Sequence, residues 1–172
     1  MSEARRIYII GFMGSCKTTA GKKLASSLGW EFIDLDKEIE NKTGETIPDI
    51  FSASGEEYFR KLEAEILTHL TTKTDTIIST GGGTPCYGKN MDFMLETGLV
   101  IYIKMTPGQL KSRLEGSSVS RPLLSNKTGK ELQQFISDKL TEREKYYLKA
   151  SVVVAGISLD ISTLYDKIRS II

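Results

Sequence analysis

Cysteine and histidine are scarce in this chain: its 172 residues include two cysteines, Cys16 and Cys86, and one histidine, His69. The cysteines have neither the spacing of a paired metal motif nor the density of a disulfide-stabilised domain. A single histidine leaves no histidine-based metal site. We therefore expect neither zinc chemistry nor a Ser-His catalytic triad.

Long apolar runs and an excess of one charge are absent too. No apolar run approaches the roughly 20 residues that a membrane-spanning helix needs, and the first ten residues lack the apolar core of a secretory signal. Lys plus Arg number 23 against 22 Asp plus Glu, and a net charge of +1 creates no field that favours nucleic acid or an anionic membrane. We expect a cytoplasmic protein that binds neither and whose anion sites are local.

The length and composition predict one domain. With 40% hydrophobic and 26% charged residues, 172 residues can bury one substantial core and are too few for two ordinary domains. We expect residues 1–172 to form a single domain that acts as a monomer.

Residues 6–28 have the pattern of a strand, a glycine loop and a helix. The apolar run at 7–10 suits a buried strand, and apolar residues then recur every four positions along one helical face. Such a loop directs several backbone N–H groups, together with the positive end of the helix dipole, into one hollow that suits a polyphosphate. Lys17 would reach the β and γ phosphates, and the Thr18 hydroxyl would bind the accompanying magnesium ion.

Cys16 breaks the phosphate-loop pattern. In G-x-x-x-x-G-K-S/T, Gly11, Lys17 and Thr18 fit, while Cys16 stands at the second glycine. A side chain there costs on the order of 1 kcal/mol if the backbone needs a positive φ. Gly14 keeps part of the loop's freedom, and an ordinary glycine-rich turn remains an alternative.

Acidic residues and glycines follow the next two predicted strands. Residues 31–36 suggest a strand from whose carboxyl end Asp34 and Asp36 project together, where open α/β sheets bind ligands. The alternative is a helix N-cap followed by a first-turn acid. Three glycines at 81–83 follow the strand at 76–80, either for a ligand on bare backbone or as a tight connector. Between these strands lies a helical insert at 37–71, with apolar positions 47, 50 and 51 in a short helix and 58, 62, 66 and 70 in a longer one. By composition, its Arg60 could be a solvated surface charge, which is the commoner fate of such an arginine.

The remaining chain completes an alternating pattern. We expect helices at 89–96, from Pro107, at 130–148 and at 158–172 (capped by Ser158), and strands at 99–105 and 151–155. The irregular segment 116–129, which carries Arg121, has the composition of a lid. This order predicts a parallel sheet covered by helices on both faces, with the first strand in its centre.

With these pieces placed, the chain resembles the shikimate kinases, small relatives of the nucleoside monophosphate kinases. The resemblance rests on IIGFMGSCKTT, FIDLD, IFSASGEEYFRKLE, ISTGGGTP, SRPLL and EREKYY, in this order over nearly the full length. It implies an α/β fold of three-layer α/β/α P-loop NTPase type: a five-stranded parallel sheet, a helical substrate-binding insert (37–71) and a lid (116–129). The implied reaction is ATP-dependent phosphorylation of the 3-hydroxyl of shikimate, in chorismate and aromatic amino acid biosynthesis.

The resemblance also implies a role for each site residue. The residues implied to bind ATP are Gly14, Ser15, Cys16, Lys17, Thr18, Thr19, Arg113 and Arg121, and the magnesium site is Thr18 with Asp34. The implied shikimate-binding residues are Asp36, Arg60, Gly81, Gly82, Gly83 and Arg143. Lys17, Asp36 and Arg121 are implied to act in catalysis.

The chemistry of these residue types agrees with the implied roles. Phosphoryl transfer needs charge neutralisation and in-line positioning, and two arginines suit an acceptor that is itself a carboxylate. The alternatives are a gluconate or nucleoside monophosphate kinase, and a regulatory module that binds ATP without catalysis. Phosphorylation assays over these acceptors separate them.

Overall fold

The computed structural model describes residues 5–117, 124 and 126–172. Five strands form one sheet in the order β2-β3-β1-β4-β5, and every pairing is parallel. The strands are β1 (Arg6–Ile10), β2 (Glu31–Asp34), β3 (Thr76–Ser79), β4 (Leu99–Lys104) and β5 (Val152–Ala155). The central position of the first strand, predicted from the sequence, is confirmed.

Helices cover both faces of the sheet. They are α1 (Lys17–Leu28), α2 (Leu35–Thr43), α3 (Ile47–His69), α4 (Asn90–Thr97), α5 (Pro107–Glu115), α6 (Gly129–Tyr147) and α7 (Ile161–Arg169). Alternate residues of β1 point to opposite sides: Ile7 and Ile9 pack with apolar residues of α1 and α7, whereas Tyr8 and Ile10 pack with those of α2 to α6. The predicted three-layer α/β/α fold is therefore confirmed.

The boundary after β2 differs from the predicted strand at 31–36. The strand ends at Asp34, whose side chain accepts a hydrogen bond from the Lys37 N–H and caps α2. Asp36 consequently lies in the first helical turn. The expectation that both acids project from the strand end was wrong, because carboxylates are stabilised by the free N–H groups at a helix N-terminus.

The helical insert begins two residues earlier than predicted, and its inward face differs in part from the predicted one. In α3 a kink at Gly55 (φ 81°) divides a short piece from a longer one, as the pattern indicated. Its buried residues include Phe59, Glu63 and Ile66, whereas Tyr58 is 50% exposed. Ile66 and Leu70 of the apolar pattern are buried as predicted, so the structure departs from that pattern only around Tyr58, where Phe59 and Glu63 point inward.

The last helix is also shorter than predicted. It starts at Ile161, because the Asp160 side chain accepts a hydrogen bond from the Ser162 N–H and serves as the cap. Ser158 instead lies in the preceding turn with φ 52°.

Part of the predicted lid at 116–129, including Arg121, lies outside the described residues, so the lid stays a prediction. Within the described ranges, none of the helices combines the length and apolar character needed to cross a bilayer.

Candidate active site

The glycine loop between β1 and α1 encloses a buried ammonium group. Lys17, 9% exposed, donates from Nζ to the carbonyl oxygens of Gly11 (2.9 Å) and Phe12 (3.0 Å). The Ser15 N–H donates to the same Phe12 carbonyl at 3.1 Å, which closes the loop beneath the helix. The loop thus brings a lysine charge and a helix N-terminus together, the combination that binds phosphate groups.

Cys16 occupies a left-handed backbone conformation at the N-cap of α1, with φ 64° and ψ 31°. The position is one for which glycine is favoured, so the cysteine introduces strain. Its sulfur accepts a hydrogen bond from Nη1 of Arg113 on α5. Gly14 has φ 83°, and a Cβ there would lie 3.1 Å from Leu114 of α5. The loop is therefore held against α5 at two points.

Two oxygen donors meet beside the loop. The Thr18 hydroxyl, in the first turn of α1, donates to Oδ2 of Asp34 at 3.2 Å. The other oxygen of Asp34 caps α2, which fixes the carboxylate in place. A hydroxyl and a carboxylate held together suit Mg²⁺, which prefers oxygen ligands and usually keeps several waters or phosphate oxygens.

The carboxyl group of Asp36 has a raised pKa. Burial raises its pKa from 3.8 to about 6, with further increases from the negative charges of Asp34 and Glu63, while the positive charge of Lys17 acts in the opposite direction. Its Oδ1 would lie 3.1 Å from a Cβ at Gly81. A carboxylate with this pKa is suited to accept a proton near neutral pH.

Arg60 is held by an acidic and aromatic environment. Its Nη1 donates at 3.0 Å to Glu63, a carboxylate only 1% exposed that also accepts from the Thr84 hydroxyl at 2.7 Å. The guanidinium lies 3.9 Å from the centre of the Tyr87 ring. Arg60 is therefore not a solvated surface charge, because its side chain is only 16% exposed and is paired with the buried Glu63.

Arg143 approaches the same region from α6. Its guanidinium lies 5.5 Å from the Phe12 ring centre, and its buried Nη1 has no hydrogen-bond partner among the residues that the structure describes. A buried donor left without an acceptor is costly and indicates a place for an external anion.

The three consecutive glycines are the point at which these parts meet. A Cβ at Gly82 would lie 3.2 Å from Nη1 of Arg143 and 3.3 Å from the Met13 N of the loop, and a Cβ at Gly83 would lie 2.6 Å from Nη2 of Arg60. A side chain at Gly82 or Gly83 would therefore crowd or displace these arginines, whereas φ itself does not demand glycine here. The glycine loop, Asp36, Arg60 and Arg143 share one cleft at the carboxyl ends of the central strands.

Some residues of this cleft were not found from the sequence. They are Glu63, Thr84, Tyr87 and Tyr147, the last of which donates its hydroxyl to the Gly82 carbonyl at 2.5 Å. The three-residue spacing of Arg60 and Glu63 was an available signal for an ion pair on one helix face. For Tyr87 no local signal exists, whereas the four-residue spacing of Arg143 and Tyr147 placed both on one helix face. Of the expected ATP-binding residues, Ser15 is buried and Thr19 is exposed at the start of α1, while Arg121 lies outside the described residues.

Comparisons with known proteins agree with this geometry. The family model described as "Shikimate kinase" matches residues 13–172. The shikimate kinase of Parabacteroides distasonis is 42% identical over 148 residues, which cover 86% of each chain. A crystal structure of shikimate kinase from Bacteroides thetaiotaomicron has a TM-score of 0.91 at 35% identity and 97% coverage of both chains. A solved structure of shikimate kinase from Acinetobacter baumannii in complex with shikimate has a TM-score of 0.85 at 35% identity, and the match covers 98% of this chain and 92% of that chain.

Proposed function

The chain belongs to the shikimate kinase family, and from that premise we propose which of its residues perform each part of the reaction. The reaction is transfer of the γ-phosphoryl group of ATP to the 3-hydroxyl of shikimate, which gives shikimate 3-phosphate and ADP in chorismate and aromatic amino acid biosynthesis. The observation that carries the assignment of residues is the meeting of the loop, Arg143 and Asp36 at the three glycines.

Arg60 and Arg143 bind the carboxylate of shikimate from two helices. Each guanidinium can offer two parallel N–H donors to a carboxylate, which fixes the orientation of the ring as well as its position. The buried Nη1 of Arg143, which has no partner among the described residues, supports this role because the substrate carboxylate would supply its acceptor. Gly81, Gly82 and Gly83 allow Asp36, Arg143 and Arg60 to approach the backbone closely, which keeps these side chains together.

Asp36 orients the 3-hydroxyl and accepts its proton. As the hydroxyl oxygen forms its bond to the γ-phosphorus, the bond from that phosphorus to the ADP oxygen breaks, and the hydroxyl proton passes to the carboxylate. With a pKa of about 6, Asp36 is largely ionised at pH 7.5 and can act as the acceptor. Positioning supplies most of the remaining rate, because phosphoryl transfer requires little covalent chemistry from the protein.

The loop holds ATP, with Gly14, Ser15, Cys16, Lys17, Thr18 and Thr19 around its phosphates. Lys17 exchanges its carbonyl contacts for the β and γ phosphates, where its charge offsets theirs. Thr18 and Asp34 fit magnesium because their oxygens already lie 3.2 Å apart. Bound magnesium would supply positive charge to the phosphate oxygens. Phosphate oxygens and water would complete the coordination of a magnesium ion held by these two residues.

Two further arginines complete the nucleotide site. We assign Arg113 to the adenine side, which is supported by its contact with Cys16 of the loop. Arg121 is assigned to the transferring phosphoryl group from its SRPLL motif alone. We also propose that the enzyme is a cytoplasmic monomer without nucleic acid or membrane partners, as the balanced charge of +1 suggests.

An assay of ADP release tests the assignment. With purified protein, ATP and Mg²⁺, we expect ADP release when shikimate is added and none with gluconate or a nucleoside monophosphate. Arg143→Met should raise the KM for shikimate by at least about tenfold, as expected for loss of roughly 1.4 kcal/mol of binding, and leave the KM for ATP unchanged. ADP release that does not depend on shikimate would overturn the proposal.

A further inference from the structure

The three consecutive glycines form the most flexible stretch of backbone in the site, because glycine has the largest backbone freedom of all residues. A Cβ at position 81, 82 or 83 would lie 2.6–3.2 Å from Asp36, Arg143 or Arg60, so a stiffer residue would displace these side chains. The conformation of this turn is instead restrained by hydrogen bonds to its backbone.

Hydrogen bonds to two of the three carbonyl groups are local. The Gly81 oxygen accepts from the Thr84 N–H at 3.2 Å, and the Gly83 oxygen accepts from the Cys86 N–H at 2.9 Å. The Gly82 oxygen differs, because it accepts at 2.5 Å from the hydroxyl of Tyr147, which is 65 residues away on α6. The middle carbonyl is thus restrained from outside the turn.

Tyr147 is itself firmly placed. Its side chain is fully buried, and its ring packs against that of Tyr102 with 5.0 Å between the ring centres. Burial raises the pKa of Tyr147, so the hydroxyl remains protonated and acts as a donor. Tyr147 follows Arg143 by four residues, so both side chains lie on one face of α6. From one face of α6, Tyr147 therefore contacts the Gly82 carbonyl, and Arg143 lies on the side of Gly82 where a Cβ would be.

We propose that Tyr147 is a positioning residue for shikimate, which acts by fixing the Gly82–Gly83 peptide through the Gly82 carbonyl. This inference rests on the proposed function, in which these glycines and Arg143 line the acceptor site. Because a peptide unit is planar, fixing the Gly82 carbonyl also fixes the direction of the Gly83 N–H on its opposite side. Shikimate then binds to one backbone conformation instead of several, so less conformational entropy is lost on binding.

A pair of matched variants tests the role. Tyr147→Phe removes the hydroxyl that bonds the Gly82 carbonyl and that also lies beside Arg143, whereas Tyr102→Phe removes a hydroxyl of the same tyrosine pair that lies beside Glu144. For Tyr147→Phe we expect the KM for shikimate to rise about tenfold, equivalent to roughly 1.4 kcal/mol, with the KM for ATP unchanged. Tyr102→Phe should leave both constants close to wild type.

The outcomes separate this inference from the proposed function. If the wild type shows no shikimate-dependent ADP release, the proposed function fails whatever Tyr147 does. If the wild type is active and Tyr147→Phe retains its KM for shikimate, or loses affinity for ATP to the same extent, the positioning role is overturned. Should Tyr147→Phe not fold, the same comparison is made in a Cys16→Gly background, in which relief of the strained φ adds stability.

Discussion

Cys16 shows at the scale of one residue how a backbone conformation limits the side chain. Its φ of 64° lies in the left-handed region, where a Cβ is disfavoured, yet its thiol contacts Arg113. The sequence indicated that glycine normally stands here but could not supply the φ angle. The contact with Arg113 was not predictable either, because it joins positions 97 residues apart.

Replacing Cys16 separates the backbone strain from the thiol contact. We expect Cys16→Gly to raise the free energy of unfolding by about 0.5–1 kcal/mol, because glycine adopts positive φ without strain. The KM for ATP should fall, since the loop no longer resists the conformation that binds phosphate. Denaturant titration and steady-state kinetics measure the two effects. Cys16→Ala is the control: it removes the thiol but keeps the Cβ, so equal gains for both variants would contradict the strain argument.

Asp36 links activity and stability through one carboxyl group. Its pKa of about 6 in the folded protein exceeds the 3.8 of the unfolded chain. Because the folded pKa is raised, the group's favourable contribution is present below pH 3.8 and is lost as the pH rises through about 6. At pH 7.5 the buried charge therefore destabilises the fold.

We expect Asp36→Asn to raise the free energy of unfolding by about 2 kcal/mol at pH 7.5 and by much less at pH 4, because the wild-type acid is then protonated. The same variant should lose at least about a hundredfold in kcat, since it cannot accept the proton. Thermal melts at the two pH values and a kcat measurement check both parts. Equal stabilisation at pH 4 and 7.5 would show that charge burial is not the cause.

At the scale of the elements, the inward face of α3 explains which site residues the sequence concealed. Apolar positions 58, 62, 66 and 70 suggested one face, and the structure buries the last two of them but adds Phe59 and Glu63 in place of position 58. A glutamate on the inward face makes that face difficult to predict from the sequence, because charged residues are normally assigned to the surface. Glu63 is buried because Arg60 and Thr84 satisfy its oxygens.

Glu63 on α3 also influences the pKa of Asp36 on the neighbouring helix α2. Its negative charge raises the pKa of Asp36 on α2, after burial and Asp34 in size, whereas Glu40 contributes least. We expect Glu63→Gln to move the acidic fall in kcat, near pH 6 in the wild type, to a lower pH, because one negative charge beside Asp36 is gone. A pH profile of kcat measures the shift. Glu40→Gln is the matched control, and a shift as large as that of Glu63→Gln would rule out a specific effect of α3.

At the scale of the whole molecule, parallel topology determines how much of the site could be predicted. The order β2-β3-β1 places the carboxyl ends of three strands side by side. The loop, the acids and the glycines follow those ends directly, so motif and strand pattern together predicted their meeting. Tyr147 and Tyr87 could not be found in this way. Their contacts with the glycines depend on the packing of α6 and of the chain after the glycines, although the four-residue spacing of Arg143 and Tyr147 did indicate a shared helix face.

Arg143 on α6 has a buried donor that should acquire an acceptor when shikimate binds. Nη1 of Arg143 is buried, with no hydrogen-bond partner in the described part of the chain. A donor in this state costs about 1–3 kcal/mol. Arg143→Met keeps an apolar stem against Phe12 and removes the unsatisfied nitrogen, so we expect the free protein to melt at a higher temperature than wild type.

When shikimate is bound, we expect wild type to be more stable than Arg143→Met. At about 100 times its Kd, a ligand adds about 2.7 kcal/mol to the fold it binds, so wild type should gain several degrees while Arg143→Met gains little. Differential scanning calorimetry with and without shikimate measures both melts, and Arg169→Met, a change on α7, should respond as wild type does. A lower melting temperature of free Arg143→Met would mean that the guanidinium stabilises the empty cleft. The destabilising contributions in the free protein would then come from Cys16 and Asp36.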